Sequence, residues 1–347
     1  MSRSEGWDTA CAAGERYVAQ GQEVSDDATS VASARQTPAA GLPTLLQGVK
    51  TKGGLILTGG LAVFFAAVVG LLLTGHDSIM PSTDSDDRLP LAGALLPVAA
   101  GLLLVRLVPP RASRIAPEVV GDRDGLIRET AVVAAVAVLM PLILFVLIAA
   151  GTSSDIVQGV WALGKPVFFL LLPWFAFRAF RTAYDASKPH RVQHWWWPRQ
   201  WWRWLAPIPA LLIFGYLSLV GPFSGPLPSA EDYPDPVALV IGATVTVFTA
   251  NICEEVFYRV MLQTRLEALF GRWPGIVLGA LLFAWLHLPT HGQGSAVLTG
   301  LPLTLGAIVA FQGTYALFAG YLWARYRNAW ALVAAHSIIN TFPLLLM

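Results

Sequence analysis

The chain has 347 residues, 55% of them hydrophobic and 13% charged, with a formal net charge of +1. A charged share well under the roughly 25% of ordinary soluble domains, with a positive mean hydropathy, excludes a water-soluble globular protein, and so small a net charge gives no electrostatic case for nucleic acid as a partner. Several apolar runs approach or exceed the ~20 residues that cross a bilayer as a helix, and the short alternating segments of a β-barrel are not seen, so the predicted fold class is all-α, a polytopic membrane bundle of about eight or nine helices.

In chain order, residues 1–50 are rich in Ser, Ala, Gly, Gln, Asp and Glu without an apolar run. They are predicted to form a disordered cytoplasmic tail. They do not read as a signal peptide, because the first hydrophobic segment begins only near Gly54. Nine spans are then predicted, over 54–74, 89–109, 131–150, 157–177, 204–221, 237–258, 274–290, 304–324 and 329–346.

The connecting segments alternate in charge. Lys50 and Lys52 precede the first span, and the next loop carries Asp77, Asp84, Asp86 and Asp87. Arg111, Arg114, Arg123 and Arg128 follow the second span, and only Asp155 the third. Arg178, Arg181, Lys188, Arg191, Arg199 and Arg203 follow the fourth, and Glu231, Asp232 and Asp235 the fifth. Arg265 and Arg272 come after the sixth, Arg325 and Arg327 after the eighth. By the positive-inside rule this pattern predicts a cytoplasmic N-terminus and an external C-terminus. The run HWWWPRQWWRW, His194 to Trp204, holds six of the thirteen tryptophans. It is predicted to lie along the inner membrane face as an anchor, its arginines among lipid headgroups. Cys11 and Cys253 lie in a polar tail and an apolar segment and are not expected to pair. Arginine greatly outnumbers lysine and asparagine is rare, a weak hint of a GC-rich bacterial genome.

The chemistry concentrates in the sixth span and beyond. Glu254, Glu255 and Arg259 sit in VTVFTANICEEVFYRVML. An ionised residue at the centre of a membrane helix costs about 2.5–3.5 kcal/mol on insertion scales, so such charges are expected to pair, to face a wet cavity or to react. Glu255 and Arg259 are four apart and can form an ion pair. Glu254 is turned about 100° from Glu255 and needs another partner or task. His287 ends the apolar run GALLFAWLH, where a helix-end histidine meeting solvent is the simpler structural reading. His291, two residues past Pro289, is expected in a loop, so the two histidines make no helical metal pair. His336 and Asn340 share a face of the last span. They offer donors to an oxyanion, or equally hydrogen bonds between helices.

Glu254-Glu255-x-x-x-Arg259, then Phe283-x-x-x-His287, then His336-x-x-x-Asn340, on three hydrophobic segments, resembles the CPBP family of intramembrane proteases. That family takes in type II CAAX prenyl endopeptidases, bacteriocin-processing and self-immunity proteins and the Abi domain. The resemblance covers roughly 237–346 and implies a catalytic core over 226–347, preceded by N-terminal transmembrane helices over 51–225 that it does not explain. It implies that Glu254 activates a water with help from His287, that His336 and Asn340 stabilise the oxyanion, and that Glu255 and Arg259 order the site. Amide hydrolysis needs those functions, and no serine or cysteine is placed with a base. Glutamate with two histidines is also a zinc ligand set. A metal, if bound, would sit on Glu254, His287 and His336. The lack of HExxH leaves that open, and the reading favours a metal-free glutamate mechanism.

The expected partners are the lipid bilayer and a membrane-anchored peptide or protein substrate. In a bacterium that is a bacteriocin, a signalling-peptide precursor or an anchored regulator rather than a prenylated protein. The expected location is the plasma membrane. Two other readings use the same residues: a non-catalytic scaffold giving bacteriocin immunity or regulating a sensor, and a proton-coupled transporter. No inverted repeat or matched pair of broken spans supports the transporter. One tension is built into the reading, since His287 falls late in an outward-going span while Glu254 and His336 lie towards the cytoplasmic half.

Overall fold

A computed structural model describes residues 52–79, 88–108, 123–179, 196–227, 235–291 and 296–345. Tail residues 1–50 with Cys11, and the loop charges Asp84, Asp86, Asp87, Arg111, Arg114, Arg181, Lys188, Arg191, Glu231 and Asp232, lie outside them. The described part is almost wholly helical. In chain order the helices are α1 (Lys52–Leu73), α2 (Leu91–Leu107), α3 (Arg123–Ala149), α4 (154–179), α5 (Trp202–Leu219), α6 (Pro236–Phe270), α7 (Arg272–Leu286), α8 (296–326) and α9 (Ala329–Asn340). A two-residue antiparallel ladder, β1 (Ser78–Ile79) with β2 (Leu89–Pro90), joins α1 to α2. The all-α membrane bundle read from the sequence is therefore correct.

Each predicted span has its helix, but not each has the length of a span. Six helices are long and apolar enough to cross a membrane, while α2, α7 and α9 are shorter, at 17, 15 and 12 residues. At 1.5 Å per residue, α9 reaches only about 18 Å against a hydrocarbon core of about 30 Å. The count of nine full crossings, and the external C-terminus that depends on it, is not supported by helix length.

The largest boundary correction is at α6. The predicted span ended at 258; the helix runs to Phe270 and spans 35 residues. Polar residues that read as the end of a span are instead buried in pairs. Gln263 donates to Glu267 (2.7 Å) and to the Gly320 carbonyl (2.8 Å). Arg265, expected in a basic loop, lies inside α6 and pairs with Glu129 of α3 at 2.7 Å. Glu267 pairs with Arg327 in the α8–α9 turn. Arg203 is likewise corrected: it is buried rather than at the headgroups, and it donates to the Tyr326 carbonyl (2.7 Å) and the Arg327 carbonyl. Elsewhere in the tryptophan run, Trp197 and Trp201 are exposed, and Trp196 and Trp197 pack edge-on against Trp330.

α7 and the second half of α8 form the spine of the bundle. α7 packs on α1, α3, α6 and α8, while α8 also packs on α2. Close approach there depends on glycine. A Cβ on Gly101 of α2 would stand 2.7 Å from the buried Phe318 ring of α8. One on Gly320 would stand 2.8 Å from the Gln263 side chain. Apolar side chains that find no helix face outward, among them Phe65, Leu212, Val240, Ile241 and Phe248. Such outward faces are what a lipid-embedded bundle presents to its solvent.

Candidate active site

The middle of α6 is largely buried: Asn251, Cys253, Phe257, Tyr258 and Arg259 have no measurable exposure, and Glu254 and Glu255 are 2% and 1% exposed. Its backbone is irregular there. Widened π-helical turns over Val247–Ile252 and Val256–Gln263 flank the ordinary turn Cys253–Glu255. Turns of this kind interrupt helices mostly at functional sites. They change the angular spacing of side chains, which lets both glutamates reach the interior while meeting different neighbours.

Glu255 joins three helices. Its Oε2 faces Nε of Arg259 at 3.3 Å, the four-residue pair expected from spacing. Its Oε1 accepts from Nδ1 of His336 on α9 (2.9 Å) and from the Tyr315 hydroxyl on α8 (3.2 Å). Glu254 turns to α4, where Lys165 Nζ stands 2.7 Å from its Oε1, both side chains being nearly inaccessible. Glu254 Oε2 is buried and accepts no hydrogen bond. His287 and His336 are both close enough to act on the Glu254 charge.

His287 caps the C-terminus of α7, and its Nδ1 lies 3.0 Å from the Phe283 carbonyl. A carbonyl only accepts, so Nδ1 carries a proton. The helices that carry these residues differ in length from the predicted spans. α7 stops after 15 residues, and the elongated α6 puts Glu254 at its centre rather than near one end. His291 falls in a helical turn, Leu288–His291, and not in the expected loop.

Phe283 packs all these groups together. The Arg259 guanidinium sits 4.6 Å over its ring, and the rings of His287, Tyr258, His336 and Tyr315 surround it at 4.9 to 6.0 Å. A cation over an aromatic face in a dry interior is held by the ring quadrupole. Asn340, part-buried, donates to Asn251 at 3.3 Å, and Asn251 donates in turn to Ser337 (2.9 Å) and Thr341 (3.0 Å). The structure thus brings together Glu254, Glu255, Arg259, His287, His336 and Asn340. It adds Lys165, Asn251, Tyr315 and Phe283, which carried no assigned role in the sequence. Of these, Lys165 left a readable signal, since it is a charge inside a predicted span.

The donor set fits zinc poorly. Both imidazoles are tethered at Nδ1, as metal-bound histidines are, and Glu254 Oε2 is unbonded. Yet among the described residues no three His, Cys, Asp or Glu side chains are grouped as a metal site requires. Cys253 is a free, buried thiol.

The fold and this cluster define a multi-pass membrane protein with a buried carboxylate–imidazole site. Residues 236–342 match a family model described as type II CAAX prenyl endopeptidase Rce1-like. That match covers all three motifs and less than a third of the chain, and is a likeness of this stretch to that family. No curated protein and no solved structure matches the chain.

Proposed function

We propose that the protein is an intramembrane endopeptidase that hydrolyses a peptide bond in a membrane-associated peptide or protein, using water activated by Glu254. The observation that carries this is the division of labour within one carboxylate: Oε1 is held by Lys165 and Oε2 is buried without a partner. Oε2 takes a proton from water as the water oxygen bonds to the scissile carbonyl carbon. His287, held at Nδ1 by the Phe283 carbonyl, assists that water. The oxyanion is met by His336, held at Nδ1 by Glu255, and by the second N–H of Asn340. As the C–N bond breaks, the proton held by Glu254 passes to the leaving amine. Preorganised donors in a water-poor site are the strongest single source of such stabilisation. Residues 226–347 are the catalytic core, and the N-terminal helices complete it. The expected place is the plasma membrane, with the N-terminus in the cytoplasm by the charge alternation of the loops before α5.

A non-catalytic scaffold is the second reading, favoured by the ion pair that already occupies half of Glu254. The two are separated by comparing the N- and C-termini of membrane peptides from cells carrying the wild type or Glu254→Gln. Termini found only with the wild type identify the substrate. Identical sets, with a wild-type phenotype that persists in the variant, leave the scaffold.

A further inference from the structure

We infer that Lys165 is a positioning residue for the reaction, fixing the Glu254 carboxylate so that Oε2 is the oxygen presented to water; this rests on the hydrolytic reading of the site. Lys165 lies on α4, 71 residues before the matched segment 236–342 begins. It is one of only four lysines in the chain, the other three being at 50, 52 and 188. A primary ammonium buried in a bundle is costly and is retained where it has a partner or a task. Its partner is the candidate base itself, at 2.7 Å, and not a member of the Glu255–Arg259–His336 group.

The local sequence builds this placement. Pro166 follows immediately and has no N–H to continue the α-helical ladder. From Pro166 to Leu171 the helix widens into π turns. Trp161, one turn earlier, lies under the ammonium, 4.1 Å from Nζ to the ring centre, and holds the long side chain against one wall. Phe169, in the widened stretch, stacks on Phe257 of α6 at 4.5 Å and locks the two helices at the level of the pair. An irregular turn, an aromatic platform and an interhelical stack therefore all serve one contact.

The chemical consequence concerns geometry and charge. A carboxylate in an apolar interior has two equivalent oxygens and free rotation about its last bond. An ammonium on Oε1 removes that freedom and supplies a counter-charge. Lys165 touches neither water nor peptide in this scheme. Around Glu254 the other charged or titratable groups among the described residues are His287 from α7, His336 from α9, Tyr315 from α8, and Cys253, Glu255, Tyr258 and Arg259 on its own helix. None of them replaces an ammonium at Oε1.

The test uses the full chain in proteoliposomes with a substrate cleaved by the wild type, comparing Lys165→Met, Lys165→Arg and Glu254→Gln. The expected result is a folded Lys165→Met protein with kcat down by at least about tenfold and KM little changed, and partial recovery of kcat in Lys165→Arg. Wild-type kcat in Lys165→Met, or equal impairment of the Met and Arg variants, overturns the inference while Glu254→Gln still reports on the hydrolytic reading. Should Lys165→Met fail to fold, Lys165→Met/Glu254→Gln decides. Recovery of the folded state in the double variant shows that Lys165 serves Glu254, and failure to recover shows that it serves packing instead.

Discussion

His336 and Tyr315 share one oxygen of Glu255, yet removing them should have unequal effects. Tyr315→Phe deletes one hydrogen bond to a carboxylate that retains Arg259 and His336, a loss of about 1.5–3 kcal/mol at most. Cleavage by that variant should stay within about a hundredfold of wild type and the fold should be kept. His336→Ala removes a proposed oxyanion donor, where losses of about 10²–10³ in kcat are usual. Steady-state kinetics on the two variants checks the order, and a more severe effect from Tyr315→Phe contradicts the assigned roles. At this scale much was legible. The pairing of Glu255 with Arg259 follows from helical spacing alone. The partner of Glu254 did not, because Lys165 is 89 residues away in sequence, and no local periodicity relates two helices joined by tertiary packing. Asn251 was hidden for a related reason, since its value lies in three partners on α9 and at its C-terminal cap.

Between elements, the end of α6 is tied to the α8–α9 turn by Glu267 with Arg327, to α8 by Gln263 and Trp323, and to α3 by Arg265. Arg327 adopts a left-handed conformation (φ 45°) at that turn, and Asn328 caps α9 through its side chain. Neutralising one member of the buried pair strands the other. Glu267→Gln should therefore cost about 3–5 kcal/mol, whereas Glu267→Leu/Arg327→Met, removing both charges, should cost less than the single change. Thermal unfolding in detergent measures both, and a double variant less stable than Glu267→Gln counts against the pair as described. This clamp also explains why the sequence misplaced the end of α6 by twelve residues. Hydropathy treats Arg259, Gln263 and Glu267 as water-seeking, but once partnered they extend the buried helix instead of ending it.

The whole molecule combines long helices with short ones, and the short ones α7 and α9 carry His287 and His336. A helix that stops within the bundle can offer its end to an interior site, which a full-length span does less readily. The class was readable from composition and the segments from apolar runs, while which segments cross was not, because length in sequence does not report where a helix stops. The charge alternation makes a direct prediction about sidedness. Arg199, exposed after α4, and Asp235, which caps α6 through Val237 N–H (2.9 Å), belong on opposite faces. In intact cells an impermeant maleimide should label the Asp235→Cys variant over the parent background and reach Arg199→Cys only after permeabilisation. The reverse pattern inverts the orientation; labelling of both from one side removes a crossing between them.

The most direct measurement is the rate at which purified protein in proteoliposomes cleaves a membrane-peptide substrate, comparing wild type with Glu254→Gln at equal amounts of folded protein. The account predicts a single scissile bond cut by the wild type and a fall in kcat of at least about 10³ in the variant, which keeps the shape of the side chain but cannot take a proton. Cleavage by Glu254→Gln at the wild-type rate would contradict it, for the buried carboxylate would then be part of the scaffold and the reacting group would lie elsewhere.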